Sequence, residues 1–156
     1  MYYIASMFGE SALGASSISI PGVALDRPLD LSSRAVQEKL SPAANRAFFS
    51  LAAHWKLRDE DARNLLGGIS NGSFYQLKRS ASKTLDQDKL TRISLLVGIF
   101  KALNILYSTK LADSWMQLPN ANPIFAGESP LAYMRKGGVP NMIRVRQLLD
   151  ARRGGS

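Results

Sequence analysis

The sequence contains no cysteine and one histidine, His54, among its 156 residues. Without thiols the chain forms no disulfide and no thiolate metal site, and one histidine is too few for a His/Cys metal cluster. The absence of cysteine also fits a cytoplasmic protein, which is the location we expect. Because His54 lies between Ala53 and Trp55 in a predicted packed helix, we interpret it as a structural residue.

Long apolar runs and phosphate-binding loops are also missing. The longest uncharged apolar run, residues 93–100, is far shorter than the ~20 residues that cross a membrane. The N-terminus has no basic stretch ahead of an apolar core, so it does not resemble a secretory signal. Gly67-Gly68 lacks the Gly-x-Gly-x-x-Gly spacing, and nothing resembles a nucleophile beside its base. We therefore expect a binding protein with no catalytic site, metal, cofactor or membrane partner.

Acidic residues are scarce beyond the first 40 positions. Residues 1–40 carry three basic and four acidic side chains, whereas the rest of the chain carries 17 basic and 8 acidic ones. Such an excess of positive charge favours a polyanionic partner, because binding releases condensed counterions. A basic but merely soluble surface is the alternative interpretation.

Composition and periodicity divide the chain into three predicted regions. Residues 1–40 form an N-terminal arm, residues 41–108 a helix-turn-helix domain, and residues 109–156 a small helical domain. The arm is rich in Ser, Ala and Gly, which predicts a partly flexible segment with room for a short strand at residues 17–20. The prediction is thus an all-α protein behind a mostly irregular arm.

Two helix starts are predicted around residue 40. A weak apolar stripe of Leu31, Ala35 and Leu40 indicates a first helix, capped by Ser32 or Asp30. Ser41-Pro42 then predicts a second helix, because serine is a good N-cap and proline suits the first helical position.

Two short helices joined by a glycine turn come next. The first is predicted from Asp59 to Leu66, with acids in its first turn, where the helix dipole favours negative charge. Gly67-Gly68 ends it, since glycine accepts the left-handed conformation without steric cost. The second helix starts at Ser70 as its N-cap. This arrangement is typical of a helix-turn-helix, although unrelated helical hairpins share it.

The second helix of this pair has one apolar and one polar side. Phe74, Leu77 and Ala81 recur at helical spacing and are predicted to face the core. The opposite side has no acid, so it offers donors and acceptors to base edges and cations to phosphates. A solvated face is the alternative. The predicted DNA-binding residues are Asn71, Ser73, Tyr75, Gln76, Lys78 and Arg79.

A long apolar helix follows. Thr84 and Gln87 have the spacing of a capping box, which predicts its start. From residue 95 to residue 100 it is apolar on nearly every side, so it is buried on several sides. It is either central to the monomer or part of a dimer seam, since helix-turn-helix proteins commonly dimerise on DNA.

The last third of the chain combines prolines, aromatics and turn residues. Ser129-Pro130 predicts a short helix that Gly137-Gly138 closes, and a final helix runs to about Arg152. Arg146 and Arg153, one heptad apart, fall inside its apolar stripe. Because arginine is rarely buried unpaired, this face either meets a partner with acids or a phosphate-binding cleft, or lies at the edge of the core.

Four stretches resemble the Xre/MbcA/ParS family of antitoxins over about residues 41–156. They are WKLRDEDARNLLGGIS from Trp55, RISLLVGIFKALNILY from Arg92, WMQLPNANPIFAGESPL from Trp115 and GGVPNMIRVRQLLD from Gly137. The last two are the most specific. The resemblance implies an all-α protein with an Xre-like helix-turn-helix domain followed by a small toxin-binding domain.

The resemblance also implies a function. Such antitoxins of type II systems neutralise a RES-domain toxin that consumes NAD, by covering its active-site cleft, and the complex often represses its own promoter. A homodimer within a hetero-oligomer is the expected assembly. The implied toxin-binding residues are Arg144, Arg146, Leu149, Arg152, Arg153 and Gly154. The positions expected to hold the shape of the small domain are Trp115, Pro123, Phe125, Gly127, Pro130, Gly137 and Gly138.

The chain departs from the family pattern in two places. Arg58 stands where such antitoxins usually have a Ser or Thr cap, so Asp59 must cap the helix or its end frays. Residues 1–40 lie outside the resemblance. The alternative function is a stand-alone helix-turn-helix repressor whose C-terminal region serves dimerisation.

Overall fold

The computed structural model describes residues 29–154, and the predicted flexible arm with its strand at residues 17–20 lies outside this range apart from the arm's end. Within it the regular elements are helical, as predicted. The α-helices are α1 (Arg34–His54), α2 (Asp59–Leu65), α3 (Asn71–Arg79), α4 (Gln87–Leu106), α5 (Thr109–Trp115), α6 (Pro130–Gly137) and α7 (Val139–Gly154). A 3-10 turn at Pro123–Phe125 joins α5 to α6.

The predicted break before residue 42 is wrong, because α1 runs uninterrupted through Pro42. Ser33 caps this helix by accepting a hydrogen bond from the Val36 amide. Ser41 is buried inside the helix, where its hydroxyl donates to the Gln37 carbonyl and accepts from the Leu85 amide. The serine hydroxyl therefore serves a tertiary contact, and the predicted boundary between residues 40 and 41 falls within α1.

The glycine turn between α2 and α3 has the predicted geometry. Gly67 and Gly68 have φ angles of +101° and +78°, in the left-handed region that favours glycine. Ser70 then caps α3 by accepting from the Ser73 amide at 3.1 Å. Helix α3 ends at Arg79, so Ala81 lies beyond it and not on its core face as predicted.

Helix α4 begins later than its sequence pattern predicts. Its N-cap is Asp86, which accepts a hydrogen bond from the Lys89 amide at 2.9 Å, so the capping box at Thr84 is wrong. Leu85 is buried and its amide donates to Ser41 on α1. Leu85 therefore lies outside the helix in a tertiary contact, and Asp86 is the residue that caps α4.

Helix α4 is the centre of the fold. It packs most extensively on α7 and α1 and also on α5, while α6 packs on α7 and α2. One continuous apolar cluster includes side chains from every α-helix of the described chain. The C-terminal helices therefore share their core with the helix-turn-helix. Within residues 29–154 no helix has the length and apolarity needed to cross a membrane.

Gly137, in the last turn of α6, has no free space for a side chain. A methyl group there would overlap the Asn141 side chain, whose amide donates to the Tyr133 carbonyl at 2.8 Å. We expect Gly137→Ala to lower the free energy of unfolding by about 1–3 kcal/mol, because Asn141 must shift or lose that bond. Urea denaturation measures the change.

Gly72 in α3 is the matched control for this prediction. Gly72 lies inside α3, and a Cβ added there would have no atom within 4 Å. Gly72→Ala should raise the free energy of unfolding by about 0.5–1 kcal/mol, because alanine has the higher helix propensity. Equal effects of the two substitutions would contradict the packing argument.

Candidate functional site

The predicted DNA-binding residues share the outer side of α3. Phe74 and Leu77 are buried and fix the rotation of the helix. Asn71, Tyr75, Gln76, Lys78 and Arg79 are exposed together on the outer side, and Ser73 is half-buried at its edge. The Asn45 side chain of α1 donates to the Leu77 carbonyl at 2.9 Å and so secures the last turn of α3. The outer side of α3 therefore faces away from the core.

Four of the six predicted DNA-binding residues already have polar partners within the chain. The Ser73 hydroxyl accepts a hydrogen bond from the Ser70 hydroxyl at 3.1 Å. The Tyr75 hydroxyl donates to Asp59 Oδ2 at 3.0 Å, Arg63 donates to Asn71, and Lys83 donates to Gln76 Oε1 at 2.9 Å. The hydrogen bond to Asp59, with the charge of that carboxylate, raises the pKa of Tyr75. These internal hydrogen bonds hold the side chains in place. A base edge must displace them before it can bond to the same groups.

The remaining cations of α3 are open to solvent. Lys78 lies with its Nζ 6.0 Å from the centre of the Phe74 ring, a cation–π contact that leaves its charge at the surface. The exposed Arg79 makes no ion pair within the described residues. These two side chains are suited to phosphate contacts.

The start of α2 holds an ion-pair cluster that the sequence pattern did not reveal. Its N-cap, Arg58, forms no side-chain cap, and Asp59 does not replace it. The side chain of Asp61 is 3% exposed and forms two ion pairs. One is with Arg58 Nε at 3.1 Å, and the other is with Arg135 Nη1, from α6, at 2.8 Å. The sequence predicts only a helix-dipole role for the three acids of this turn, Asp59, Glu60 and Asp61. No local signal in the sequence connects Asp61 with an arginine so far along the chain.

The C-terminal end of α7 is a basic tip. Arg152, Arg153 and Gly154 are exposed, as is Arg144 nearer the start of the helix. Arg152 Nη1 donates to the Tyr107 hydroxyl at 3.0 Å, which ties the tip to the end of α4. These predicted toxin-binding residues are therefore on the surface and accessible to a partner.

Two other residues predicted to contact the toxin are inside the core. Leu149 has no exposed surface, and Arg146 is 4% exposed. The guanidinium of Arg146 pairs with Asp150 one turn later, while burial lowers its pKa from the ordinary value. We correct the prediction for both positions: α7 packs on α4 along this stripe, so neither side chain is available on the surface.

The predicted shape-holding residues lie at two junctions. Trp115, Pro123, Phe125, Gly127 and Pro130 lie between the end of α5 and the start of α6, and Gly137 and Gly138 lie where α6 meets α7. Phe125 packs edge-on against Trp115 at 6.0 Å and against Tyr133 at 5.2 Å between ring centres. Pro123 and Pro130 occupy the first positions of the 3-10 turn and of α6. Gly127 and Gly138 have φ angles of +83° and +65°. The shape-holding role of these residues stays a prediction.

Models of two protein domains match the chain. Residues 34–98 match the antitoxin Xre-like helix-turn-helix domain, and residues 102–155 match the antitoxin Xre/MbcA/ParS C-terminal toxin-binding domain. The chain is also similar to a Sinorhizobium fredii (strain NBRC 101917 / NGR234) protein that bears the name "Uncharacterized protein y4oB". The identity is 42% over 115 residues, which span 73% of this chain and 87% of that protein. The junction of the two matched regions falls inside α4.

Proposed function

This chain belongs to the Xre/MbcA/ParS family of antitoxins, and we propose that it neutralises a RES-domain toxin that consumes NAD. In this proposal the end of α7 covers the active-site cleft of the toxin, and the complex represses its own promoter through α3. The basic tip of α7 is the observation that carries the first part. Arginine matches carboxylate groups of a partner because its planar guanidinium makes two parallel hydrogen bonds to them.

The position of the tip supports occlusion by steric means. Leu149 is the last fully buried residue of α7, and the helix continues beyond it with exposed residues to Gly154. The helical end carries two adjacent arginines and presents their positive charge on the surface. Such an end fits a narrow cleft with less loss of conformational entropy than a free peptide.

Co-purification with the product of the neighbouring gene tests the toxin-binding half. We expect a stable complex in which NAD turnover by the toxin is suppressed when the antitoxin is saturating. Undiminished turnover in the saturated complex would contradict occlusion. The absence of a toxin-like neighbouring gene, together with tight promoter binding, would favour the stand-alone repressor.

The second part of the proposal is repression through α3. The exposed α3 residues combine amide and hydroxyl groups for base edges with Lys78 and Arg79 for phosphates. We further propose that two chains associate within the complex, so that two copies of α3 reach successive half-sites. Light scattering of the free chain and of the complex measures the stoichiometry.

Gln76→Ala should relax sequence preference if α3 reads bases. A glutamine that makes two hydrogen bonds to adenine contributes about 1–3 kcal/mol of discrimination, which the alanine variant would lose. Competition binding of promoter and scrambled DNA measures the ratio. Gln147→Ala, an exposed change on α7, is the control. An unchanged ratio in Gln76→Ala would remove this residue from the base-reading set.

A further inference from the structure

Helix α6 reaches the start of α2 through one arginine. Arg135 Nη1 lies 2.8 Å from Asp61 Oδ1, and its Nη2 lies 3.3 Å from Glu60 Oε1. The side chain of Asp61 is 3% exposed, so its charge needs a partner inside the protein. Its other partner, Arg58, is 72% exposed and belongs to the end of the same helix. Arg135, on α6, is therefore the ion-pair partner of Asp61 that does not belong to α2 or its N-cap.

The start of α2 is in turn connected to the outer side of α3. Asp59, two residues before Asp61, accepts the Tyr75 hydroxyl, and Arg63, two residues after it, donates to Asn71. Helix α2 has only seven residues and shows no side-chain cap. A helix so short depends on tertiary contacts for its order. Contacts at its first turn thus affect where Tyr75 and Asn71 lie.

We propose that Arg135 is a positioning residue for α2 and α3, and that it makes the order of the helix-turn-helix depend on the C-terminal region. Its consequence for DNA rests on the proposed function of α3. One further hydrogen bond joins the same regions, from Gln117 Nε2 to the Trp55 carbonyl at 3.1 Å. Beside Arg135 a cleft of about 480 Å³ lies between the two regions. A partner that displaces α6 would loosen α2, and by linkage DNA would affect binding of that partner.

Lys136 provides a matched control. It is the next residue of α6 and carries the same charge, but its ion pair is with Glu128 at 2.5 Å, within the C-terminal region. Lys136→Met and Arg135→Met thus remove one positive charge from adjacent positions. Only Arg135→Met breaks the ion pairs with α2.

Amide hydrogen exchange of the full chain tests the physical link without any ligand. We expect amides of residues 59–79 to exchange about tenfold faster in Arg135→Met, while those of residues 93–103 in α4 keep their rates. Lys136→Met should change neither set. Arg135→Lys should give an intermediate increase, because one ammonium cannot bridge Glu60 and Asp61 as the guanidinium does, and it serves if the methionine variant fails to fold.

Promoter binding at several salt concentrations tests the consequence for DNA. The ratio of promoter to scrambled-DNA affinity should fall about tenfold in Arg135→Met. The slope of log affinity against log salt should stay unchanged, whereas loss of a direct phosphate contact would reduce it by about 0.9. A reduced slope would make Arg135 a phosphate ligand and overturn the positioning role.

The two arms separate the failure of this inference from failure of the proposed repressor. If the unaltered chain binds no DNA but exchange in residues 59–79 responds to Arg135, repression is wrong and the link stands. If the unaltered chain binds DNA and the folded Arg135 variants show no local exchange change, the link is wrong and repression stands. An increase in amide exchange that is equally large in α4 would also overturn the proposed link through Arg135.

Discussion

Replacing both Arg152 and Arg153 with glutamate is expected to abolish toxin neutralisation while the antitoxin stays folded. Both side chains are exposed at the end of α7, so the change places two carboxylates where the proposed plug enters the toxin. Removing one member of a desolvated charge pair costs about 2–5 kcal/mol, and reversing two charges adds repulsion to that loss. We therefore expect affinity for the toxin to fall at least about 100-fold.

The affinity for purified toxin is measured by surface plasmon resonance, and neutralisation is measured by an NAD turnover assay. Lys39→Glu with Arg46→Glu is the matched control, because it reverses two exposed charges on α1 and leaves α7 unchanged. If the control weakens toxin binding as much as the α7 variant does, the loss of affinity comes from long-range electrostatic attraction between the two proteins and not from contacts of the tip. If the α7 variant still neutralises the toxin, the basic tip is not the plug.

Arg146→Glu is expected to unfold the chain or leave it severely destabilised. Arg146 is 4% exposed and pairs with Asp150, so a glutamate there would bury one carboxylate beside another. Breaking a buried ion pair costs about 3–5 kcal/mol, a large part of the stability of a small domain. The chain would lose toxin binding for a structural reason, which is why the test of the tip uses Arg152 and Arg153.

Arg146→Met separates the charge effect from packing. Methionine fills a similar volume, and Asp150 is about half exposed, so water can solvate the carboxylate that loses its partner. We expect a loss well below that of Arg146→Glu. Circular dichroism and urea denaturation of the two variants measure the difference. A stable, toxin-binding Arg146→Glu variant would show that this position is solvated in solution and restore it to the candidate interface.

Local sequence signals determined much of the fold. Ser70, Ser129 with Pro130, and Gly67 with Gly68 lie where the sequence predicts, because caps and left-handed turns depend on a few neighbouring residues. The helical class follows from periodicity, and the family follows from residues whose spacing is unusual enough to identify it. The polar side of α3 was likewise readable, since Phe74 and Leu77 set its rotation.

Tertiary contacts decided what local rules could not. Ser41 looked like a cap, but its hydroxyl bonds Leu85, so α1 continues and α4 starts late. Arg146 looked like part of a binding face, yet α7 packs that side on α4 and pairs the arginine internally. Asp61 and Arg135 meet across 74 positions of sequence. Burial and pairing between distant helices have no local pattern, and they are what connects the proposed toxin-binding region to the helix proposed to read DNA.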